Sequence, residues 1–393
     1  MLQNFKDQIK FKLAKILTPE VDKRLKIEER LSVADEKIAS VDLYGIAPWY
    51  QENFWEPPVQ IALQNLCKPG HIVFDVGANF GGLSTLMSRA VGPKGVVCSF
   101  EASPRIISKT QRNLVLSGCS NVQLFHTAVY HTSNQTVNIY PGDHLNDSIY
   151  GSSTYGDPYE IQTLALDDFI EHTQLVPNLL KLDIEEAEFD ALQGMKKTLI
   201  TAKPHLILET QREDTNCLNF LRENGYIAID LNAYREITSI EDYPPGEGVR
   251  NNLYIHRDRL SETPYQPPFE FKDYAFLSEQ DFRKNPDNSI ILEKPLTLEK
   301  GRYLINIDFT ATGKNNDLRC GVKVKNKVIF RYSAYSAYLA SCYRDWVIDL
   351  PKKSEITIYF EFKNNTRDES LQVNGAKIIQ VTNFNHFPPI LYI

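Results

Sequence analysis

Residues 72–82 read IVFDVGANFGG, an apolar β-branched run that ends in an acid and breaks into glycines before a helix-like stretch. A strand that turns this sharply into a helix needs positive φ or a close backbone approach at the bend, and Gly77 admits both. In an open α/β sheet such a bend lies beyond the carboxyl end of a strand. Ligands bind there, and the following helix aims unpaired N–H groups at them. The same texture repeats from His71 to about His256. HIVFDV, GVVCSFE, VQLFHTAVY, TVNIY, LLKLDI, HLILET and YIAIDL read as strands, with helix-like stretches such as GGLSTLMSRAV and PRIISKTQRNLVLSG between them. This alternation predicts a mostly parallel sheet with helices on both faces and right-handed crossovers.

The flanking regions differ. Leu2, Phe5, Ile9, Leu13 and Leu17 recur at helical steps, and after Pro19 a second charged helical stretch is expected to about Ser40. This prefix suits a helix packed on the α/β domain or on a partner, and less readily one lying on a membrane surface. Trp49, Tyr50 and Trp55 either cover a pocket or cap the core. Beyond Leu260, SETPYQPPFEF reads as a linker. SIILE, RYLINIDFTA, GVKVKNKVIFRY, WVIDL, EITIYFEF and AKIIQVTNF then follow as short strands between polar turns. They predict an all-β, jelly-roll-like sandwich. The expected division is a helical N-terminal segment over 1–50, an α/β Rossmann-like domain over 51–258 and a β-sandwich over 268–393. In FRYSAYSAYLASCYRDW, the aromatics Tyr332, Tyr335, Tyr338, Tyr343 and Trp346 suit three roles. They can stack on sugar rings, form a sandwich core and rim, or build the dimer interface of a homo-oligomer.

A formal charge of −7 gives no general attraction to phosphate backbones, so a nucleic-acid partner is not expected. No apolar run approaches the ~18–20 residues that span a bilayer, so no transmembrane segment is expected. The six cysteines are scattered without a C-x-x-C pair, which fits reduced thiols in a cytoplasmic setting.

Two nucleotide readings compete for the glycine loop. Gly77-Ala78-Asn79-Phe80-Gly81-Gly82 lacks the middle glycine of the dinucleotide fingerprint G-x-G-x-x-G. Asp75 stands where a pyrophosphate would be repelled but the cationic methionine end of S-adenosylmethionine would be welcome. GVVCSFE ends in Glu101, an acid placed to accept hydrogen bonds from ribose hydroxyls.

FDVGANFGGLSTL, SFEASPRIISKTQRNLVLSG, NVQLFHTAVY, TLALDDFI, and PNLLKLDIEEAEFDALQGM with HLILET together resemble the FkbM-type family of S-adenosylmethionine-dependent methyltransferases. The resemblance covers roughly residues 70–212. It implies a Rossmann-like methyltransferase fold and O-methylation of a hydroxyl, with sugars and secondary-metabolite scaffolds as substrate classes. Carried over by position, Asp75, Gly77, Ala78, Asn79 and Gly81 form the cofactor loop, and Glu101 with Ala102 holds the ribose. His126, Thr127 and Ala128 meet the adenine, and Asp183 faces the methionine and the reacting methyl. Two positions depart from the family. Glu186 stands where Asp-Val-Glu-Gly-x-Glu has glycine, and Ala102 where proline is common.

A hydroxyl nucleophile must lose its proton, to a general base or with help from a metal. KLDIEEAE gathers Asp183, Glu185 and Glu188, and HLILET closes with Glu209; these four are the candidate catalytic carboxylates. Clustered carboxylates raise one another's pKa, and they can also hold Mg²⁺ or Ca²⁺. Acids at a helix N-terminus also arise simply to satisfy the helix dipole. His144, in the long polar loop PGDHLNDSIYGSSTYGD, is a further candidate at the pocket mouth. The expected activity is O-methyl transfer to a sugar, glycan or glycosylated metabolite. The alternatives are an inactive methyltransferase-fold scaffold and a nicotinamide-dependent oxidoreductase.

Overall fold

The computed structural model describes residues 26–31, 37–42, 56–142, 147–151, 156–211, 214–243, 249–312, 318–334, 345–362 and 370–384. The helix expected over residues 2–17, the aromatics Trp49, Tyr50 and Trp55, and His144 lie outside them. Lys26–Leu31 (β1) and Lys37–Asp42 (β2) form an antiparallel hairpin, Lys26 opposite Asp42. The helix expected to run to Ser40 is therefore corrected to strands. Ile27, Ile38 and Val41 are β-branched, a bias toward extended backbone that overrode the weak helical spacing.

The central sheet contains Ile72–Val76 (β3), Val96–Glu101 (β4), Val122–His126 (β5), Leu179–Leu182 (β9), His205–Gln211 (β10), Tyr226–Asp230 (β11), Arg235–Ile237 (β12) and Val249–His256 (β13), in the order β12-β11-β13-β10-β9-β3-β4-β5. Neighbours from β10 to β5 run parallel. The β13, β11 and β12 pairings are antiparallel. β13 was not expected; it closes the gap between β10 and β11. The short strands Ala128–Val129 (β6), Thr136–Ile139 (β7) and Tyr159–Leu164 (β8) make a small side sheet. The helices are Pro57–Leu66 (α1), Gly82–Val91 (α2), Ile107–Leu116 (α3), Leu166–Thr173 (α4), Glu188–Gln193 (α5), Lys196–Thr201 (α6) and Thr215–Glu223 (α7). Val59 and Leu63 of α1 and Leu86 and Met87 of α2 share one core with Val73, Val97, Leu179, Ile207 and Leu253 of the sheet. Residues of α4, α5, α6 and α7 pack with the opposite face, around Phe74, Phe100, Leu180 and Leu208. Successive strands progress outward from β3 through β4 to β5, whereas β9 starts the other half. The topological switch therefore falls between β3 and β9. None of the described helices is long and apolar enough to cross a membrane.

After the sheet come Phe271–Ser278 (β14), Phe282–Lys284 (β15), Ile290–Leu292 (β16), Leu296–Leu298 (β17), Gly301–Thr312 (β18), Leu318–Val324 (β19), Lys327–Ala334 (β20), Asp345–Leu350 (β21), Ser354–Phe362 (β22) and Ser370–Val381 (β23). One sheet runs β14-β23-β18-β21. The other runs β15-β16-β22-β19-β20, with β17 also on β22. Tyr303, Ile305, Ile307 and Phe309 of the first sheet share a core with Leu318, Val322, Ile356 and Phe360 of the second. Of the three roles open to Trp346, the structure gives it the sandwich core: it is fully buried there and stacks on Phe330 at 5.5 Å between ring centroids, so this indole is closed to sugar stacking. The indole fills the interior, and Tyr335, Tyr338 and Tyr343 lie outside the described residues.

The expected linker is not a solvated tether. Tyr265 is fully buried, stacks on Tyr234 of the α/β body and accepts a hydrogen bond from Asn65 of α1 at 3.1 Å. Strand β18 shows why. From Asn306 onward it alternates buried and exposed, but over Gly301–Ile305 every residue is buried. Leu304 and Val347 face the α1 core while Tyr303 and Ile348 face their own. Between the bodies Arg302, wholly buried, pairs with Asp349, its cross-strand neighbour on β21. The guanidinium also sits 3.4 Å from the Phe384 ring centroid and 4.7 Å from that of Tyr234. Removing one partner strands a buried charge. Asp349→Asn should lower the unfolding free energy by about 3–5 kcal/mol. The double replacement Arg302→Met with Asp349→Leu should recover most of the loss, both read from urea denaturation.

Candidate functional site

Side chains alternate along a strand, so residues two apart share a face. Val73, Val97, Leu179, Ile207 and Leu253 all belong to the α1 core. The same parity carried to the strand ends puts Asp75, Glu101, Lys181, Asp183, Glu209 and Asn251 along one edge of that face. The candidate site is this row and the loops that cap it.

The glycine loop is held from several sides. Gly77 has φ +82°, and a Cβ there would lie 1.8 Å from the Asp183 carbonyl oxygen. The Gly77 and Ala78 N–H groups donate to the Phe100 carbonyl at 3.0 and 2.9 Å, and the Asp183 N–H donates to Val76 at 3.1 Å. Asn79 takes φ +48°, which asparagine tolerates, and Gly81 takes φ +79°. Asn113 on α3 braces the loop by donating to the Phe80 carbonyl at 2.9 Å.

Glu101 is tied to this loop. Its Oε2 accepts the Asn79 N–H at 2.8 Å, and its Oε1 accepts the Ser103 N–H at 2.7 Å. Each oxygen keeps a second lone pair for a hydroxyl donor. Burial pushes the carboxyl up to about 7 against the pull of those two N–H groups. His126 lies opposite Glu101 in the β4–β5 register, with its Nε2 3.2 Å from the Ala102 carbonyl. Thr127 donates instead to the Gln162 carbonyl at 2.8 Å, and Ala128 is buried in β6. The structure therefore brings together Gly77, Ala78, Asn79, Gly81, Glu101, Ala102 and His126, with Thr127 turned to β8.

Asp75 is fully buried. Ser84 of α2 donates to its Oδ2, and its Oδ1 has no hydrogen-bond partner. Burial raises its pKa, while Lys181 and the Ser84 hydroxyl pull it back. It underpins the loop from behind. Lys181, which sequence reasoning passed over, is 4% exposed; its Nζ donates to Asp183 Oδ2 at 2.8 Å and to the Gly77 carbonyl at 3.3 Å. Burial alone would lower the ammonium's pKa. Asp183, Asp75 and Glu56 outweigh burial, and the net shift is upward. The parity of Lys181 with Asp183 was the available signal.

The KLDIEEAE carboxylates separate. Glu188 is buried, and its Oε1 accepts the Ile184 N–H at 2.8 Å, bracing the turn that leads from β9 into α5. Burial holds the group up to about 7. Glu185, half-buried, is pushed up to about 8 by burial and then by Asp183 and Glu188. Glu185 and Glu186 have φ of +55° and +80°. The family glycine thus has a physical reason at position 186, and Glu186, which is exposed, occupies left-handed backbone without glycine's freedom.

Asp183 and Glu209 meet a residue that sequence reasoning missed. Glu56, at the start of α1, offers a carboxylate oxygen that lies with one from each of them in a group whose atoms are all within 4.8 Å of one another. Glu209 is raised well above the usual carboxylate range by burial, then by Asp183 and Glu56. Asn251 Nδ2 donates to Glu56 Oε1 at 3.2 Å. Nothing in the segment before Pro57 marks Glu56 as functional. The polar loop does reach the site's rim: Arg105 pairs with Asp147, and Ser148 donates to the Glu185 carbonyl at 2.6 Å.

Residues 75–228 match the family model described as the methyltransferase FkbM domain. Methyltransferase 1 of Beauveria bassiana is 26% identical over 144 residues, 31% of this chain and 57% of that protein. The tRNA (adenine(58)-N(1))-methyltransferase TrmI of Thermus thermophilus is 44% identical over 46 residues, 12% of this chain and 18% of that one. The chain thus spans about half the length of the first of these relatives and less of the second. Among solved structures, the methyltransferase FkbM from Methylobacillus flagellatus KT is 16% identical, with 48% of this chain and 44% of that chain covered and a TM-score of 0.33.

Glu186→Gly should stabilise the protein by about 1 kcal/mol, because it relieves left-handed backbone. The readout is a higher urea midpoint at unchanged m. Gly77→Ala, which drives a methyl into the Asp183 carbonyl, should cost about 3 kcal/mol or more.

Proposed function

Because residues 75–228 form a methyltransferase domain of the FkbM type, we propose that this chain transfers a methyl group from S-adenosylmethionine to a hydroxyl of a sugar, glycan or glycosylated metabolite. The observation that carries the reading is the union of loop and acid. Glu101 holds the backbone of Asn79 while keeping lone pairs free beside His126. Those acceptor oxygens suit a nucleoside with vicinal hydroxyls, set against the loop Gly77–Gly81. When bound, S-adenosylmethionine supplies an electrophilic methyl on a sulfonium. The chain's own residues position the acceptor and take its proton. Glu185, whose carboxyl is pushed up to about 8 by burial, has the basicity a general base needs near neutrality. Asp183 and Glu209 line the same edge, and Lys181 fixes Asp183.

In this reading residues 51–258 are the catalytic domain, and 268–393 form a jelly-roll-like β-sandwich docked on it. The Thermus relative's name specifies a tRNA substrate, but a formal charge of −7 argues against a phosphate-rich acceptor here. A sugar hydroxyl carries no such charge and suits the polar side chain of Ser148 beside Glu185.

Adenosylhomocysteine titration by calorimetry tests the cofactor site. Ribose hydroxyls donate best to an ionised carboxylate, so the competent fraction grows as Glu101 ionises at about 7. Affinity should fall about tenfold from pH 8 to pH 6, and Glu101→Gln should flatten the profile. The stability trend has the opposite sign. The folded state holds the Glu101 proton to about 7 but the usual value is 4.5, so this group's contribution fades as pH rises through that window. Glu185→Gln should bind adenosylhomocysteine normally yet lose turnover about 100-fold or more with sugar acceptors.

A further inference from the structure

We propose that Glu56, Asp183, Glu209 and Asn251 form a binding site for one hard divalent cation of the Mg²⁺, Mn²⁺ and Ca²⁺ class. Four separate elements deliver these residues: the start of α1, the residue just past β9, the last part of β10 and the first part of β13. One oxygen from each of Glu56, Asp183 and Glu209 lies within 4.8 Å of the others, close enough for a single ion to touch all three. Carboxylates at that spacing repel one another, and a shared cation is one way a fold holds them together.

Asn251 adds an independent observation. It stands directly opposite Glu209 in the β10–β13 register and is only 8% exposed. Its Nδ2 reaches Glu56 at 3.2 Å, which places the amide at the cluster, while its Oδ1 has no partner. A buried amide oxygen left unpaired costs about 1–3 kcal/mol. Coordination would satisfy it, and turning the amide over brings that oxygen to the position from which Nδ2 now meets Glu56. Lys181 does not complete the site. Its hydrogen bonds go to Asp183 and the Gly77 carbonyl, and among the described residues none joins it to Glu56 or Glu209. All the donors are oxygen, three of them anionic, which selects hard cations over those that prefer imidazole or thiolate.

The site adjoins the Asp183 carbonyl that abuts Gly77, at the edge where the acceptor is placed in the methyl-transfer reading. Only the ion's task rests on that reading. An acceptor hydroxyl bound to the cation would release its proton more readily.

The test is titration of the chelator-treated full chain with Mn²⁺, read by electron paramagnetic resonance, with Mg²⁺ and Ca²⁺ as competitors and adenosylhomocysteine binding measured in parallel. One Mn²⁺ per chain is expected, displaced by Mg²⁺ or Ca²⁺. Glu209→Gln and Asn251→Leu should each weaken it about tenfold or more while adenosylhomocysteine affinity stays within about twofold. If circular dichroism shows that Glu209→Gln has not folded, Glu56→Gln carries the same expectation. No bound Mn²⁺, or equal Mn²⁺ affinity in wild type and folded variants, overturns the site. Mn²⁺ bound without adenosylhomocysteine would keep the metal site and sink the methyl-transfer reading; the converse would do the reverse.

Discussion

The Asp183 carbonyl occupies the space where any side chain at position 77 would begin. This contact joins the two halves of the central sheet at their switch point, because Gly77 leaves β3 and Asp183 leaves β9. It fixes how far the cofactor loop stands from the carboxylate loop. Lys181 is sealed in behind it, within hydrogen-bond reach of both. The remaining charges follow. Asp75 sits beneath the loop on Ser84, Glu101 clamps Asn79 from the next strand, and Glu209 and Glu56 converge from the other side. A residue with a Cβ at 77 would push these pieces apart.

Much of this was legible in the chain. The strands around the loop are apolar runs ending in acids, and β3, β4, β9 and β10 formed where those runs lay. Glu101 and the loop were readable because their chemistry is local to two strand tips. Asp75 stands at the expected strand tip, where it is buried and bonded to Ser84 of α2. Glu188, a candidate base in the sequence, is buried and gives one oxygen to the Ile184 N–H in the turn ahead of its helix. Glu56 and Asn251 could not be read, since each acquires meaning only when distant segments are brought alongside Glu209. The hairpin at Lys26–Asp42 was hidden by charged residues whose spacing fits a helix as well as strands. Trp346 was open to several roles because tyrosines surround it in sequence, and its place on β21 selects the sandwich core.

Position 186 shows how a departure from a pattern becomes intelligible. The backbone there is left-handed, in the few residues that carry the chain from β9 into α5. Glutamate carries its charge outward to solvent from that bend. The substitution therefore alters the rim of the site and leaves the carboxylates of the strand edge in place.

The double-sided burial of β18 and β21 bears on how the molecule behaves as a whole. Leu304, Val347 and Val381 belong to the same core as α1, and Arg302 has aromatic neighbours from both bodies. The halves are fused along a seam and do not behave as beads on a string. Melting should be cooperative across it, and excising either half would leave an oily scar on the other. Glu56 sits at the head of the helix that forms this seam, so the carboxy-terminal strands reach the chemistry indirectly, as the buttress that keeps one of its ligands in position.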